Sequence, residues 1–143
     1  KAMELRVHDG GTYVCMEGPA FSTRAESLMY RTFGVSVIGM TNLTEAKLAR
    51  EAEICYATLA LATDYDCWHE GEEDVTVEGV VATLKRNVSN AKRILAHALA
   101  NTDASKDCFC NHSLEGAIMT APDAISPESR EKLALLLERS MSL

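Results

Sequence analysis

Ile54-Cys55-Tyr56-Ala57-Thr58-Leu59-Ala60-Leu61-Ala62 is a nearly unbroken apolar run, and it stops at Thr63-Asp64-Tyr65-Asp66. The run is too short to cross a membrane and apolar enough to be a buried strand. A strand sends residues i and i+2 to the same side, so Asp64 and Asp66 leave its carboxyl end together while Tyr65 turns away. In open α/β sheets that end of the strands is where ligands sit. An acid holding a proton beside an ionised acceptor suits a substrate that must be both protonated and hydrogen-bonded. The alternative is that both aspartates are solvated turn or N-cap residues.

The rest of the chain is read around that strand. Its 143 residues are about one domain's worth, and 47% of them are apolar, enough for a real core. The net charge of -7, with no basic stripe, excludes a nucleic-acid or anionic-membrane binder. No apolar stretch reaches membrane-spanning length. Cys15, Cys55 and Cys67 read as buried reduced thiols of a cytosolic protein. Cys108-Phe109-Cys110, with His112 two residues on, offers a strained disulfide or two soft metal ligands. With no fourth ligand nearby, free thiols and no metal are the expectation.

In chain order, Met3, Leu5 and Val7 alternate, and Asp9-Gly10-Gly11 follows as a hairpin turn. Thr12–Met16 is a strand closed by Glu17-Gly18-Pro19. Thr23-x-x-Glu26 is a capping box opening a helix that Gly34 stops. Phe21 before it is core, a hydrophobic staple or an aromatic wall for a flat ligand, core being the plainest choice. Val35–Met40 is the next strand, followed by Thr41-Asn42-Leu43-Thr44 and a helix from about Glu45 to Glu53. Hydroxyls at such an entrance either hold an anion or cap the helix. Strand, helix and the run 54–62 then form a βαβ-type unit. Glu70–Asp74 is an acidic surface loop. Thr76 caps a long helix with Val77, Val80, Val81, Leu84, Val88, Ala91, Leu95 and Ala98 at helical spacing. Its basic residues form a solvated face, Trp68 is structural, and His69 and His97 have no evident partner. Ser126-Pro127-Glu128 opens a last helix to about Met141, burying Leu133, Leu136 and Leu137.

Three segments carry a family resemblance: Glu17-Gly18-Pro19-Ala20-Phe21-Ser22-Thr23-Arg24-Ala25-Glu26, Gly39-Met40-Thr41, and Ala62-Thr63-Asp64-Tyr65-Asp66-Cys67-Trp68. Together they resemble the 5′-methylthioadenosine phosphorylases, in the trimeric branch of the purine nucleoside phosphorylase family. The likeness is specific from about Gly11 to Trp68, looser to about Leu99 and weak beyond Asn101. It implies an α/β fold, a mixed central sheet flanked by helices, of which only the C-terminal part is present. Residues 1–99 would be the family-like core of a single domain and 100–143 a divergent tail. The implied reaction is phosphorolysis, in which phosphate displaces adenine from methylthioadenosine and gives 5-methylthioribose 1-phosphate. No cofactor is implied, because inorganic phosphate is a co-substrate.

Residue by residue, the resemblance makes Phe21 the wall against the base, with Ile38 close by. It puts Met40 under the ribose and Thr41 on the phosphate. Thr63, Asp64 and Asp66 would face the purine edge, Asp64 as the acid at N7 and Asp66 as its support. Val77, Val80 and Val81 would line the methylthio slot, or be plain helix core. The related 6-oxopurine enzymes carry Asn where Asp64 stands, so a 6-aminopurine is favoured. Family members have roughly as much chain again before the part matching Lys1, holding most phosphate ligands and a histidine lent by a neighbouring subunit. The expected partners are therefore a missing N-terminal half and sister subunits in a homo-trimer or hexamer, in the cytoplasm, and the isolated segment would be inactive. The alternatives are a phosphorylase for methylthioinosine or other purine nucleosides, and a purine-binding module without catalysis.

Overall fold

The computed structural model describes residues 5–69, 76–103 and 106–137. They fall into two compact units, Lys1–Leu43 with Thr58–Ala104, and Thr44–Ala57 with Ser105–Leu143. The elements in order are β1 (Tyr13–Cys15), α1 (Arg24–Thr32), β2 (Val37–Gly39), α2 (Asn42–Glu51), α3 (Val77–Asn101), α4 (Pro127–Lys132) and α5 (Ala134–Leu137), with 3-10 turns at Phe109–His112 and Pro122–Ala124. No described helix is long and apolar enough to cross a membrane.

In the first unit β1 and β2 pair in parallel, Val14 opposite Ile38 and Cys15 opposite Gly39, with α1 as the crossover. The expected hairpin before β1 does not form among the described residues. Gly10 and Gly11 do take the turn, at φ +74° and +121°, a region that glycine enters without a Cβ penalty. They lead the chain alongside Ser36 instead: the Thr12 carbonyl accepts from the Ser36 and Val37 N–H groups, at 2.8 and 3.1 Å. A side chain on Gly11 would meet Ser36 Oγ at 2.9 Å. Residues 5–8 therefore have no ladder partner there, and Met3 lies outside the described residues.

Helix α1 starts where its capping box predicts. Thr23 Oγ1 accepts from Glu26 N at 3.3 Å, and Glu26 Oε2 accepts from Thr23 N at 2.7 Å. The Thr23 backbone N–H, then its hydroxyl, hold the Glu26 carboxyl below the usual value of 4.5. Gly34, at φ +72°, lies just past the end of the helix. A Thr23→Ala exchange is expected to cost about 1 kcal/mol. A carboxylate with a depressed folded value contributes stability that is complete above its ordinary value and lost as pH falls through the depressed one. Denaturant melts should therefore show the parent–variant gap narrowing in acid. A gap that stays constant from neutral pH into acid would refute a role for the Thr23 hydroxyl on the Glu26 carboxylate.

The run Ile54–Ala62 is the main departure from expectation. It carries no helix or strand, and Ile54 is 58% exposed, with Tyr56, Leu59 and Leu61 also exposed. A strand exists only where a neighbour completes its ladder, and among the described residues β1 and β2 pair with each other alone. The βαβ unit that does form is therefore β1–α1–β2.

Helix α2 begins three residues before the predicted Glu45. Its entrance is built from a distance, with Leu43 N donating to Cys15 Sγ at 3.0 Å and Thr58 Oγ1 to Asn42 Oδ1 at 2.8 Å. Thr76 caps α3 as expected, accepting from Gly79 N at 3.2 Å. Of the apolar positions on α3 only Ala91 is fully buried, and the leucines and most valines stay exposed. The acidic loop Glu70–Asp74 lies outside the described residues.

The second unit is tied by Glu53, a buried residue at φ +55° whose Oε1 accepts from Leu114 N at 3.1 Å. Tyr56 donates to Glu45 Oε2 at 3.2 Å. The expected single last helix is two. Ser126 caps α4 through Ser129 N, Leu133 interrupts, and α5 buries Leu137 while Leu133 stays exposed and Leu136 is half-buried. The predicted extension to Met141 passes outside the described residues.

Candidate active site

All the residues singled out for substrate lie in the first unit. Phe21 follows the cis Gly18–Pro19 bond and is 83% exposed. A core residue does not stand in water in that way, so the core reading of Phe21 falls. Ile38 is half-buried on β2, and Gly39 ends the strand. A Cβ at Gly39 would collide with the Tyr13 hydroxyl, so the strand end passes that ring as only glycine can. Met40 comes next, its Sδ 3.1 Å from where a Gly18 side chain would begin, which sets the strand end beside the loop that carries Phe21. Thr41 is exposed and directly precedes α2.

The segment after the apolar run is held against α1. Arg24 Nη1 donates to the Cys67 carbonyl at 3.3 Å, and the Cys67 thiol to the Ser22 carbonyl at 3.5 Å. The Arg31 guanidinium lies 3.6 Å from the centre of the Trp68 ring, a cation–π contact that fixes both. Tyr65 stacks on His69 at 4.4 Å and meets Trp68 edge-on at 5.9 Å. Trp68 is structural, as expected, and His69 has a partner that the sequence does not reveal. Through Ser22 and Cys67 the neighbours of Phe21 and Asp66 touch, which brings the Phe21 loop against the Asp64–Asp66 segment.

Thr63 Oγ1 donates to Asp64 Oδ1 at 2.5 Å, and Asp66 Oδ1 accepts from Cys67 N at 2.9 Å. Asp64 is exposed and Asp66 half-buried. Their placement comes from these neighbours and the 66–69 turn, closed by His69 N on the Asp66 carbonyl at 3.0 Å. The alternation of a paired strand has no part in it. Asn87 Nδ2 of α3 donates to the Ala62 carbonyl at 2.7 Å, tying the residue before Thr63 to the helix that carries the valines. Val77 and Val81 are exposed and Val80 is half-buried. Arg24, Arg31 and Cys15 position this region without a local sequence signal, because each acts on a residue far along the chain.

The five thiols are free, as expected, though Cys55 and Cys67 are exposed where burial was expected. His112 is taken by carboxylates, its Nδ1 2.6 Å from Glu115 Oε1 and its Nε2 3.2 Å from Asp107. Asp107 first, then Glu115, raise its pKa above the usual value.

A family model described as the phosphorylase superfamily matches residues 1–100. S-methyl-5′-thioadenosine phosphorylase of Geobacter sulfurreducens is 60% identical over 131 residues, which cover 92% of this chain and 46% of the relative. Its counterpart from Gloeobacter violaceus is 53% identical, with 95% and 46% covered. Among solved structures, a methylthioadenosine phosphorylase from an antarctic soil metagenomic library superposes with a TM-score of 0.81 at 47% identity, over 89% of this chain and 45% of that one. Methylthioadenosine phosphorylase from Schistosoma mansoni in complex with adenine gives 0.61 at 36% identity, over 73% and 37%. The chain thus spans a little under half the length of the curated relatives it matches. With its parallel β1–α1–β2 unit and a match over its first 100 residues, the chain belongs to the phosphorylase superfamily, with the α/β fold of the nucleoside phosphorylases.

Proposed function

We propose that this chain supplies the base and ribose side of an enzyme that splits 5′-methylthioadenosine with phosphate into adenine and 5-methylthioribose 1-phosphate. One observation carries the reading: the loop bearing the exposed Phe21 ring lies beside Met40 at the strand end and is bonded through Ser22 to Cys67, next to Asp66, in a chain 60% identical to a methylthioadenosine phosphorylase. Residues 1–99 are read as the family-like part, next to a family match over residues 1–100, while the alignment with the Geobacter relative, 131 residues long, continues into 100–143. Most phosphate contacts come from the other half of a relative-length enzyme, which works as a trimer or hexamer in the cytoplasm without a cofactor.

Cleaving the glycosidic bond leaves positive charge on the sugar and drives electrons into the purine. Asp64 donates a hydrogen bond at N7 and so stabilises the departing base, while Asp66 supports it and accepts from the 6-amino group. Phe21 and Ile38 cover the base, Met40 lies under the ribose and Thr41 bonds phosphate at the entrance of α2. Thr63 orients Asp64, as their 2.5 Å hydrogen bond suggests. Val77, Val80 and Val81 form the methylthio slot. An apolar slot discriminates weakly against an added hydroxyl, so adenosine should be a slower substrate.

The test is adenine release from methylthioadenosine by the full-length enzyme, with and without phosphate. Release only with phosphate supports the reading. Preference for methylthioinosine would correct the substrate. Adenine binding without release would leave a purine-binding module in its place.

A further inference from the structure

The second unit holds a cluster of three thiols that the proposed reaction does not use. Cys55, just after α2, meets Cys108, which precedes the Phe109–His112 turn, and Cys110 within it, and their sulfurs all lie within 4.8 Å of one another. Cys55 Sγ and Cys108 Sγ are 3.0 Å apart although 53 residues separate them in sequence. Cys55 is exposed and Cys108 half-buried, so a small solute reaches both.

From this geometry we infer that Cys55 and Cys108 form a peroxide-sensitive thiol pair, Cys108 being the sulfur attacked first and Cys55 the one that closes the disulfide. A thiolate is the reactive form, and it is favoured where donors surround the sulfur. The Cys55 thiol, then the backbone N–H of Cys110, hold the Cys108 thiol below its usual value of 9.0, whereas the same contact pushes Cys55 up to about 11. Backbone N–H groups of Cys110 and Asn111 favour the thiolate at Cys108, and no backbone N–H does so at Cys55, which makes Cys108 the readier nucleophile. A nucleophile with a resolving thiol at hand is the arrangement of a redox-responsive cysteine.

The step balances with hydrogen peroxide as oxidant. The Cys108 thiol gives up its proton, its thiolate attacks one peroxide oxygen, an S–O bond forms, the O–O bond breaks, and the hydroxide that leaves with the electron pair takes up that proton as water. Cys108 is now a sulfenic acid. The Cys55 sulfur attacks it, forming the S–S bond and breaking S–O, and the expelled hydroxide takes the Cys55 proton as water. Two thiols and one peroxide thus give one disulfide and two waters. A reductant such as dithiothreitol reverses the sulfur chemistry. A metal site is the competing use of the cluster, but structural zinc sites close with four ligands, and among the described residues the cluster has three.

Titrating free thiols in the full chain after mild peroxide should give three where the reduced protein has five. The peptides bearing Cys55 and Cys108 should then appear linked by mass spectrometry. Dithiothreitol should restore all five. A Cys110→Ser variant should still link, and a Cys55→Ser variant should leave a sulfenic acid at Cys108 that dimedone traps. A Cys108–Cys110 link in the parent, five unchanged thiols, or a zinc or copper ion retained on purification and shielding the cluster would each overturn the assignment.

Discussion

Asp64→Asn is expected to lower phosphate-dependent adenine release in the full-length enzyme by roughly 100- to 10,000-fold, the span that a positioned acid contributes. The exchange keeps shape and removes only the titratable proton. Asp64 is exposed and its recorded partner is the Thr63 hydroxyl, which an amide oxygen also accepts. Stability should therefore change by less than about 0.5 kcal/mol. The amide that replaces the Asp64 carboxyl can donate to a 6-oxo group as well as to N7. The variant's residual activity should accordingly move toward 6-oxopurine nucleosides. Steady-state rates on methylthioadenosine and methylthioinosine, with melts alongside, check both parts. A loss of rate matched by a loss of melting temperature would make Asp64 a structural turn residue, and unchanged rates would remove it from the chemistry.

Phe21→Ala should weaken adenine binding by about 5- to 150-fold, the equivalent of the roughly 1–3 kcal/mol that stacking one base on an aromatic ring contributes. Truncating a core phenylalanine would instead cost about 3–5 kcal/mol of stability. With 83% of its surface exposed, Phe21 has little packing to lose, so the melting temperature should stay near that of the parent. Calorimetric titration with adenine and a thermal melt separate the two roles. Unchanged affinity would leave the base without its wall, and a large fall in stability would restore Phe21 to a core.

What could be read directly from the residues is local in its physics. The Thr23–Glu26 box, the Thr76 and Ser126 caps and the Gly34 stop all join groups within a few residues, so their pattern in the chain is the interaction itself. The strands around Val14 and Ile38 and the period of α3 follow from side-chain alternation in the same way. The motifs around Phe21, Met40 and Asp64 named the family, and the match over residues 1–100 shows it. Tertiary structure decided the rest. Cys15 serves the entrance of α2, Arg31 covers Trp68, and Cys55 meets Cys108 across 53 residues. None of these pairs has a signature along the chain, because the partners meet only once the backbone has turned. The same reason accounts for the run 54–62. Apolar composition makes it fit for a strand, but a ladder needs a neighbour, and the neighbour is a matter of three dimensions.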